Sequence, residues 1–294
     1  MISKSFDEYV EWRKSIFDPK GDCDPVAFDP SPVHLLRAAR VIGQTEQVEP
    51  LGPGTFVKAY SFETPEGWFV LKVPVAERFA PALEIAAFVA QQAVDVGTPT
   101  VVPLLTDTSH YVAPFTFQIE PFVEEEAGPN PQWSWNEIQP LGYGPLDPRD
   151  PTKALFNTWS GYLNTRLIEQ IEICLDIGAI DPHDAARVKD LMATVEEPLN
   201  SGLIHNDLSP RNVIGTHIID WESCISGDPL YELASWYAFH TELLKTAKLT
   251  DRTFWLYYLR VVIARTVHRH RFQIPEHPVY QPSSRRIQLA LSRL

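Results

Sequence analysis

The chain has 294 residues, 44% of them hydrophobic and 21% charged, with a formal net charge of −13. That is enough chain for one large domain or two lobes with a real core. The acidic balance argues against nucleic acid and anionic membrane as partners and suits a small, cationic substrate. No apolar run is long enough to span a bilayer. The N-terminal MISKSFDEYVEWRKSIF lacks the apolar core and small-residue cleavage site of a signal peptide, so a cytoplasmic protein is expected. Cys23, Cys174 and Cys224 stand singly, which excludes a disulfide framework and a paired-cysteine zinc site.

Taken in chain order, the first fifty residues carry no readable element and are left unassigned. TFVKAYSFE (55–63) and GWFVLKVPV (67–75) are β-rich runs, and Pro65 and Gly67 supply the turn of a hairpin between them. FAPALEIAAFVAQQAV (79–94) has the composition and spacing of a helix. TPTVVPLL and YVAPFTFQIEPFV read as further strands. Residues 128–151, rich in Pro and Gly and holding Trp133, Trp135 and Tyr143, form a long irregular segment, either a functional lid or a connector whose tryptophans simply pack on the helical lobe.

Beyond it the pattern turns helical. Leu155, Trp159, Leu163, Leu167 and Ile171 predict one helix over 151–178, ended by Gly178. Asp181-Pro182 and Asp228-Pro229 each place a capping carboxylate before a proline at the first helical position. A fourth long helix covers TDRTFWLYYLRVVIARTVHRHRF. Its basic RTVHRHR end is read as cations favoured at a helix C-terminus, not as an anion site. The division expected is a β-rich lobe over 1–123 and a helical lobe over 124–294. The fold class is α+β, with polar chemistry in a cleft at the junction.

That chemistry concentrates in LIHNDLSPRNVIGTHIIDWE (203–222). Val213-Ile214 and Ile218-Ile219 flank Gly215-Thr216-His217 as a tight hairpin, which brings Asn212 roughly opposite Asp220. A carboxamide oxygen and a carboxylate converging there suit Mg²⁺, which takes one or two protein ligands and fills the rest with water and phosphate. Asp207, in the loop before the hairpin, is placed to orient a hydroxyl and accept its proton. Each residue alone is ordinary turn chemistry; the four together on a strand-loop-strand point to function.

HNDLSPRN, then IIDWE, then GDPLYELA resembles the aminoglycoside phosphotransferase family of the protein-kinase-like superfamily. The resemblance covers about residues 50–245. It implies a bilobal kinase-like fold with ATP, or GTP as the alternative, bound with Mg²⁺ between the lobes. Carried over, it implies Asp207 as catalytic base, Asn212 and Asp220 as metal ligands, His205 as a brace of the catalytic loop, and Asp228 as a tie from that loop to the helix it begins. It makes Lys72 of FVLKVP the phosphate-binding lysine, with Glu84 its partner from the following helix. Gly52 and Gly54 would cover the phosphates, and the backbone of Glu120 to Phe122 would meet the adenine edge. Glu222 and Glu232 are candidates for reading substrate amino groups. The Asn212–Asp220 segment is shorter than is usual in the family, and Asn206 and Ser209 stand where Gly and His are often found.

The function this implies is transfer of the γ-phosphate of ATP to a hydroxyl of an aminoglycoside-like antibiotic. The alternatives are a metabolic kinase for choline, a sugar or an amino alcohol, or a catalytically silent nucleotide-binding scaffold.

Overall fold

A computed structural model describes residues 2–13, 30–52, 56–124, 137–240, 244, 249–271 and 282–294. The N-terminal stretch carries α1 (Ile2–Arg13) and α2 (Pro32–Ala39), the latter capped by the Ser31 hydroxyl. Then come β1 (Glu49–Gly52), β2 (Val57–Thr64), β3 (Gly67–Pro74), α3 (Ala80–Asp95), β4 (Leu105–Asp107) and β5 (Phe117–Pro121). The middle of the chain forms β6 (Tyr143–Asp147), β7 (Asp150–Phe156), α4 (Trp159–Asn164), α5 (Leu167–Asp176) and α6 (Pro182–Met192). β8 (Gly202–Ile204), β9 (Val213–Ile214), β10 (His217–Ile218) and β11 (Ile225–Gly227) follow. The chain ends in α7 (Pro229–Phe239), α8 (Arg252–Arg271) and α9 (Ser283–Arg293). Among the described residues no helix is long and apolar enough to cross a membrane.

Two compact units result. One gathers α2, β1–β5, α3 and residues 210–223; the other gathers β6–β8, β11 and α4–α9. In the first unit, β1-β2-β3-β5-β4 form one antiparallel sheet. The expected hairpin is present. Gly67, at φ 133°, takes a backbone that an L side chain rarely adopts, and the Thr64 hydroxyl hydrogen-bonds Glu66 in the turn. Tyr60, Phe62, Leu71, Val73, Phe117 and Ile119 fill one core with Leu35 and Ala38 of α2. The helix read over 79–94 is α3, and Gln118 joins it to the sheet by donating to the Leu83 carbonyl at 2.9 Å.

Residues 210–223 follow directly on the loop after β8, yet they fold with this first unit. The Ile218 N–H donates to the Pro99 carbonyl at 3.0 Å. The Trp221 indole donates to the Thr100 hydroxyl at 2.7 Å, and that hydroxyl donates in turn to the Ile218 carbonyl. The turn of β9 and β10 is Gly215-Thr216, with Gly215 at φ 58°.

The second unit departs from the expected single helix over 151–178. Residues Asp150–Phe156 pair with β6 as a strand. Thr158 caps α4, its hydroxyl accepting the Gly161 N–H at 3.1 Å. Arg166, at φ 54°, then separates α4 from α5. A side-chain cap and a left-handed residue override an apolar pattern that four-residue spacing fits only loosely. The expected lid is also partly something else. Its residues 143–147 and 150–151 enter a four-stranded sheet, β7-β6-β11-β8, while Trp133 and Trp135 lie outside the described residues.

Trp159 is fully buried at the centre of this unit, ringed by Tyr143, Tyr162, Tyr231 and Tyr257 at 5.3–6.2 Å between ring centroids. Arg260, also fully buried, ties α8 to the α4–α5 break: it donates to the carbonyls of Leu163 and Thr165 and to the Gln170 side chain. A Cβ on Gly227 would lie 2.3 Å from Trp159 Cζ3 and 2.6 Å from Cη2. Neither partner can yield, because the indole is locked by its hydrogen bond to Tyr257. Gly227→Ala is therefore expected to destabilise the protein by about 1–3 kcal/mol or more. Urea unfolding measures it, and a variant as stable as the parent would contradict this packing.

Candidate functional site

Lys72 sits on β3 with its side chain 6% exposed. A buried ammonium needs compensation, and three carboxylates of the same unit supply it. Its Nζ lies 2.7 Å from Asp220, 3.0 Å from Glu222 and 3.2 Å from Glu120. Burial opposes the charge on Lys72, but Asp220, Glu120 and Glu222 together hold its pKa well above the ordinary value. The cost falls on the acids. Burial pushes the Glu120 carboxyl up to about 7, Lys72 opposing and Glu222 and Asp220 adding to the rise. Burial likewise raises Glu222. One cation against three carboxylates leaves an excess of negative charge, while the Asp220 side chain is 43% exposed.

Asn212 and Asp220 approach through the β9–β10 hairpin. Val213 pairs with Ile218, and the Ile219 N–H donates to the Asn212 carbonyl at 3.0 Å. The register thus sets Ile219, one residue before Asp220, opposite Asn212. Asp220, at φ 64°, leaves the strand line there.

Glu84 is not among the partners of Lys72. It lies half-buried on α3, in the stripe with Ala87, Phe88 and Gln91 that is less buried than the Leu83 side meeting the sheet. Burial, then Glu77, raises its pKa. Glu222, expected as a substrate reader, is instead held on Lys72. Glu120 is on β5 opposite Val70, its carboxylate also on Lys72. The expected adenine contact at Phe122 meets an obstacle: its N–H already donates to the Trp68 carbonyl at 3.0 Å, and Pro121 has no N–H. Gly52 pairs with Ala59 across a register shift in β1, and Gly54 lies outside the described residues.

In the second unit, the loop after β8 carries His205, Asn206 and Asp207. The fully buried His205 accepts the Asp207 N–H on Nδ1 at 3.4 Å. Asn206 is left-handed, at φ 65°. Its N–H donates to Glu232 Oε2 at 3.0 Å. Glu232 was expected to read substrate, but it is 2% exposed and braces this loop. Burial pushes its carboxyl up to about 7, against the pull of the Asn206 and His205 backbone N–H groups. Asp228 was expected to make that tie. As also expected, Asp228 caps α7 by accepting the Leu230 N–H at 2.9 Å, and it accepts the Tyr257 hydroxyl at 2.9 Å.

Asp207 itself is accessible, with its side chain 46% exposed, and Arg265 of α8 lies 4.0 Å from its Oδ1. Sequence reasoning passed over Arg265 as part of a basic helix end. A usable signal was there: LYYLRVVIARTV is an apolar run interrupted by two arginines, and buried arginines need acceptors.

With this geometry in view, the likeness to known proteins is specific. Residues 146–255 match the model of the phosphotransferase enzyme family. A thermostable variant of aminoglycoside phosphotransferase APH(4)-Ia, solved in ternary complex with ADP and hygromycin B, superposes with a TM-score of 0.62. It shares 16% identity over 90% of this chain and 99% of its own. The fold is that of the aminoglycoside phosphotransferases. A fructosamine-3-kinase candidate from Thermobifida fusca has a TM-score of 0.57 and 17% identity, over 88% of this chain and 98% of its own. A second APH(4)-Ia variant, bound to AMP-PNP and hygromycin B, gives 0.61 at 17% identity, over 90% and 99%. No curated protein sequence matches. The expected α+β architecture is thus found, in the fold those solved structures share.

The Glu232 brace has a pH signature. Its folded carboxyl keeps a proton where the unfolded one, at its ordinary 4.5, has lost it. Its contribution therefore makes stability fall as pH rises from about 4.5 to about 7 and level off above. Glu232→Gln keeps an acceptor for Asn206 but cannot ionise. It is expected to flatten that fall by at most about 3 kcal/mol. Urea denaturation at a series of pH values would show it; an unchanged slope would mean Glu232 is ionised at neutral pH.

Proposed function

We propose that this chain transfers the γ-phosphate of ATP to a hydroxyl of a small molecule, most closely an aminoglycoside-like one. The observation that carries the reading is the pairing of Lys72 with Asp220, 148 residues apart, beside the hairpin that presents Asn212. A buried site with one ammonium, surplus carboxylates and an exposed Asp220 is suited to a ligand that brings further positive charge. The donor set fits Mg²⁺, since Asn212 and Asp220 offer hard oxygens and no acidic cluster of three or more is needed when phosphates complete the shell. Mg²⁺ held there would neutralise charge on the phosphates during transfer.

The chain's own residues do the rest. Lys72 presents its ammonium to the nucleotide phosphates. Asp207, fixed by the His205 ring and the Glu232 brace yet open to solvent, accepts the proton of the attacking hydroxyl. Glu222 and Glu120, rather than Glu84, keep Lys72 charged and aimed. The net charge of −13 agrees with a cationic acceptor. A sugar-derived amine is the second acceptor class, favoured by the fructosamine-3-kinase candidate among the structural neighbours.

Asp207→Ala is expected to bind Mg·ATP as the parent does but to lose at least about 100-fold in phosphate transfer. A variant that keeps full turnover would remove Asp207 from the chemistry. Asp220→Ala is expected to lose the stabilisation that Mg·ATP gives in a thermal-shift titration, and an unchanged shift would exclude it as a ligand. The decisive assay is ATP consumption across hygromycin B, other aminoglycosides, glycated amines and choline. Turnover with none of them would favour a nucleotide-binding scaffold.

A further inference from the structure

Arg265 occupies a position that helix electrostatics does not explain. It lies six residues before the last residue of α8, outside the final turn in which the helix dipole favours cations. Its charge is also costly there. Burial, with the neighbouring Arg286 and Arg269, lowers its pKa to about 10, and the strongest opposing influence is the Asp207 carboxylate. Its side chain is 16% exposed.

The guanidinium is nonetheless fixed. It lies 3.5 Å from the centroid of the Phe239 ring, over its face. Its Nη2 donates to the Ser235 hydroxyl at 3.0 Å, and that hydroxyl reaches the Asn206 carbonyl at 3.5 Å. The same Nη2 lies 4.0 Å from Asp207 Oδ1. One nitrogen thus reaches the Asn206 carbonyl through Ser235 and lies at ion-pair distance from the Asp207 carboxylate, while α7 supplies Phe239 and Ser235 to hold it.

We propose that Arg265 is a positioning residue for Asp207, orienting its half-exposed carboxylate and keeping it anionic for the acceptor hydroxyl. This rests on the reading of Asp207 as the base. A rigid, always-charged fork on an aromatic face is suited to fixing a carboxylate that stays accessible to solvent.

The test compares Arg265→Met, which keeps the stem and removes the charge, with Arg265→Lys, which keeps the charge, each alone and with Asp207→Asn. ATP hydrolysis with water as acceptor and phosphate transfer to hygromycin B are the rates read. Arg265→Met is expected to lower kcat by about 10- to 100-fold, within what a positioned base supplies, with the KM for ATP and the melting temperature near the parent's. Arg265→Lys is expected to recover most of that loss. In the Asp207→Asn background, Arg265→Met is expected to cost nothing further, because both act through one carboxylate. Parental kcat in Arg265→Met overturns the proposal. So does equal loss of melting temperature and ATP affinity in both the Met and Lys variants, since that marks a purely structural arginine. A fully active Asp207→Asn instead overturns the base assignment. If neither rate is measurable, a crystal structure of Arg265→Met decides: a displaced Asp207 carboxylate supports the proposal, and an unmoved one overturns it.

Discussion

The first unit is organised around one buried ammonium. Lys72 sits on the central strand of a five-stranded sheet, where an unpaired charge would cost several kcal/mol. Glu120 answers it from the adjacent strand, β5. Asp220 and Glu222 answer it from a segment that arrives about 150 residues later in the chain. That late segment is fastened to the unit by Thr100, through the Trp221 indole and the Ile218 carbonyl. The hairpin is too short to stand alone in water, and its bonds to residues 99–100 help hold it where Asp220 reaches Lys72.

The second unit solves a different problem. It must hold a loop with one left-handed residue, Asn206, and a solvent-facing carboxylate, Asp207. It does so from behind, with a buried carboxyl on Glu232 accepting the loop N–H and a partly buried guanidinium on Arg265. Both are costly groups to bury. They are kept in register by the aromatic cluster about Trp159 and by the Trp159–Tyr257–Asp228 chain, which locks α8 against the start of α7. Removing one member of such a network leaves the others unsatisfied, so its residues act together.

Much of this was legible beforehand, for local reasons. The β2–β3 hairpin, α3, and the caps at Asp181 and Asp228 follow from turn chemistry, periodicity and proline placement, all set within a few residues. The reading over 151–178 failed because Leu155 and Trp159 share an apolar pattern but not an element. Strand pairing claimed Leu155, and the Thr158 cap began a new helix at Trp159. The partner of Lys72 was misread as Glu84 because chain proximity favours the next helix. Its true partners lie across the sheet and in a distant hairpin.

By itself the sequence determined the β2–β3 hairpin, α3 and the caps at Asp181 and Asp228, the position of the polar cluster at 205–220, and the residues able to carry charge there. Those follow from side-chain chemistry and spacing along one stretch of chain. The tertiary structure decided which carboxylate serves which role. It placed Glu222 on Lys72, Glu232 beneath the Asp207 loop, and Arg265 beside Asp207 itself. These assignments depend on which groups are buried together. Burial is a property of the packed chain, so a carboxylate that reads as a surface residue in sequence becomes a brace once water is excluded around it.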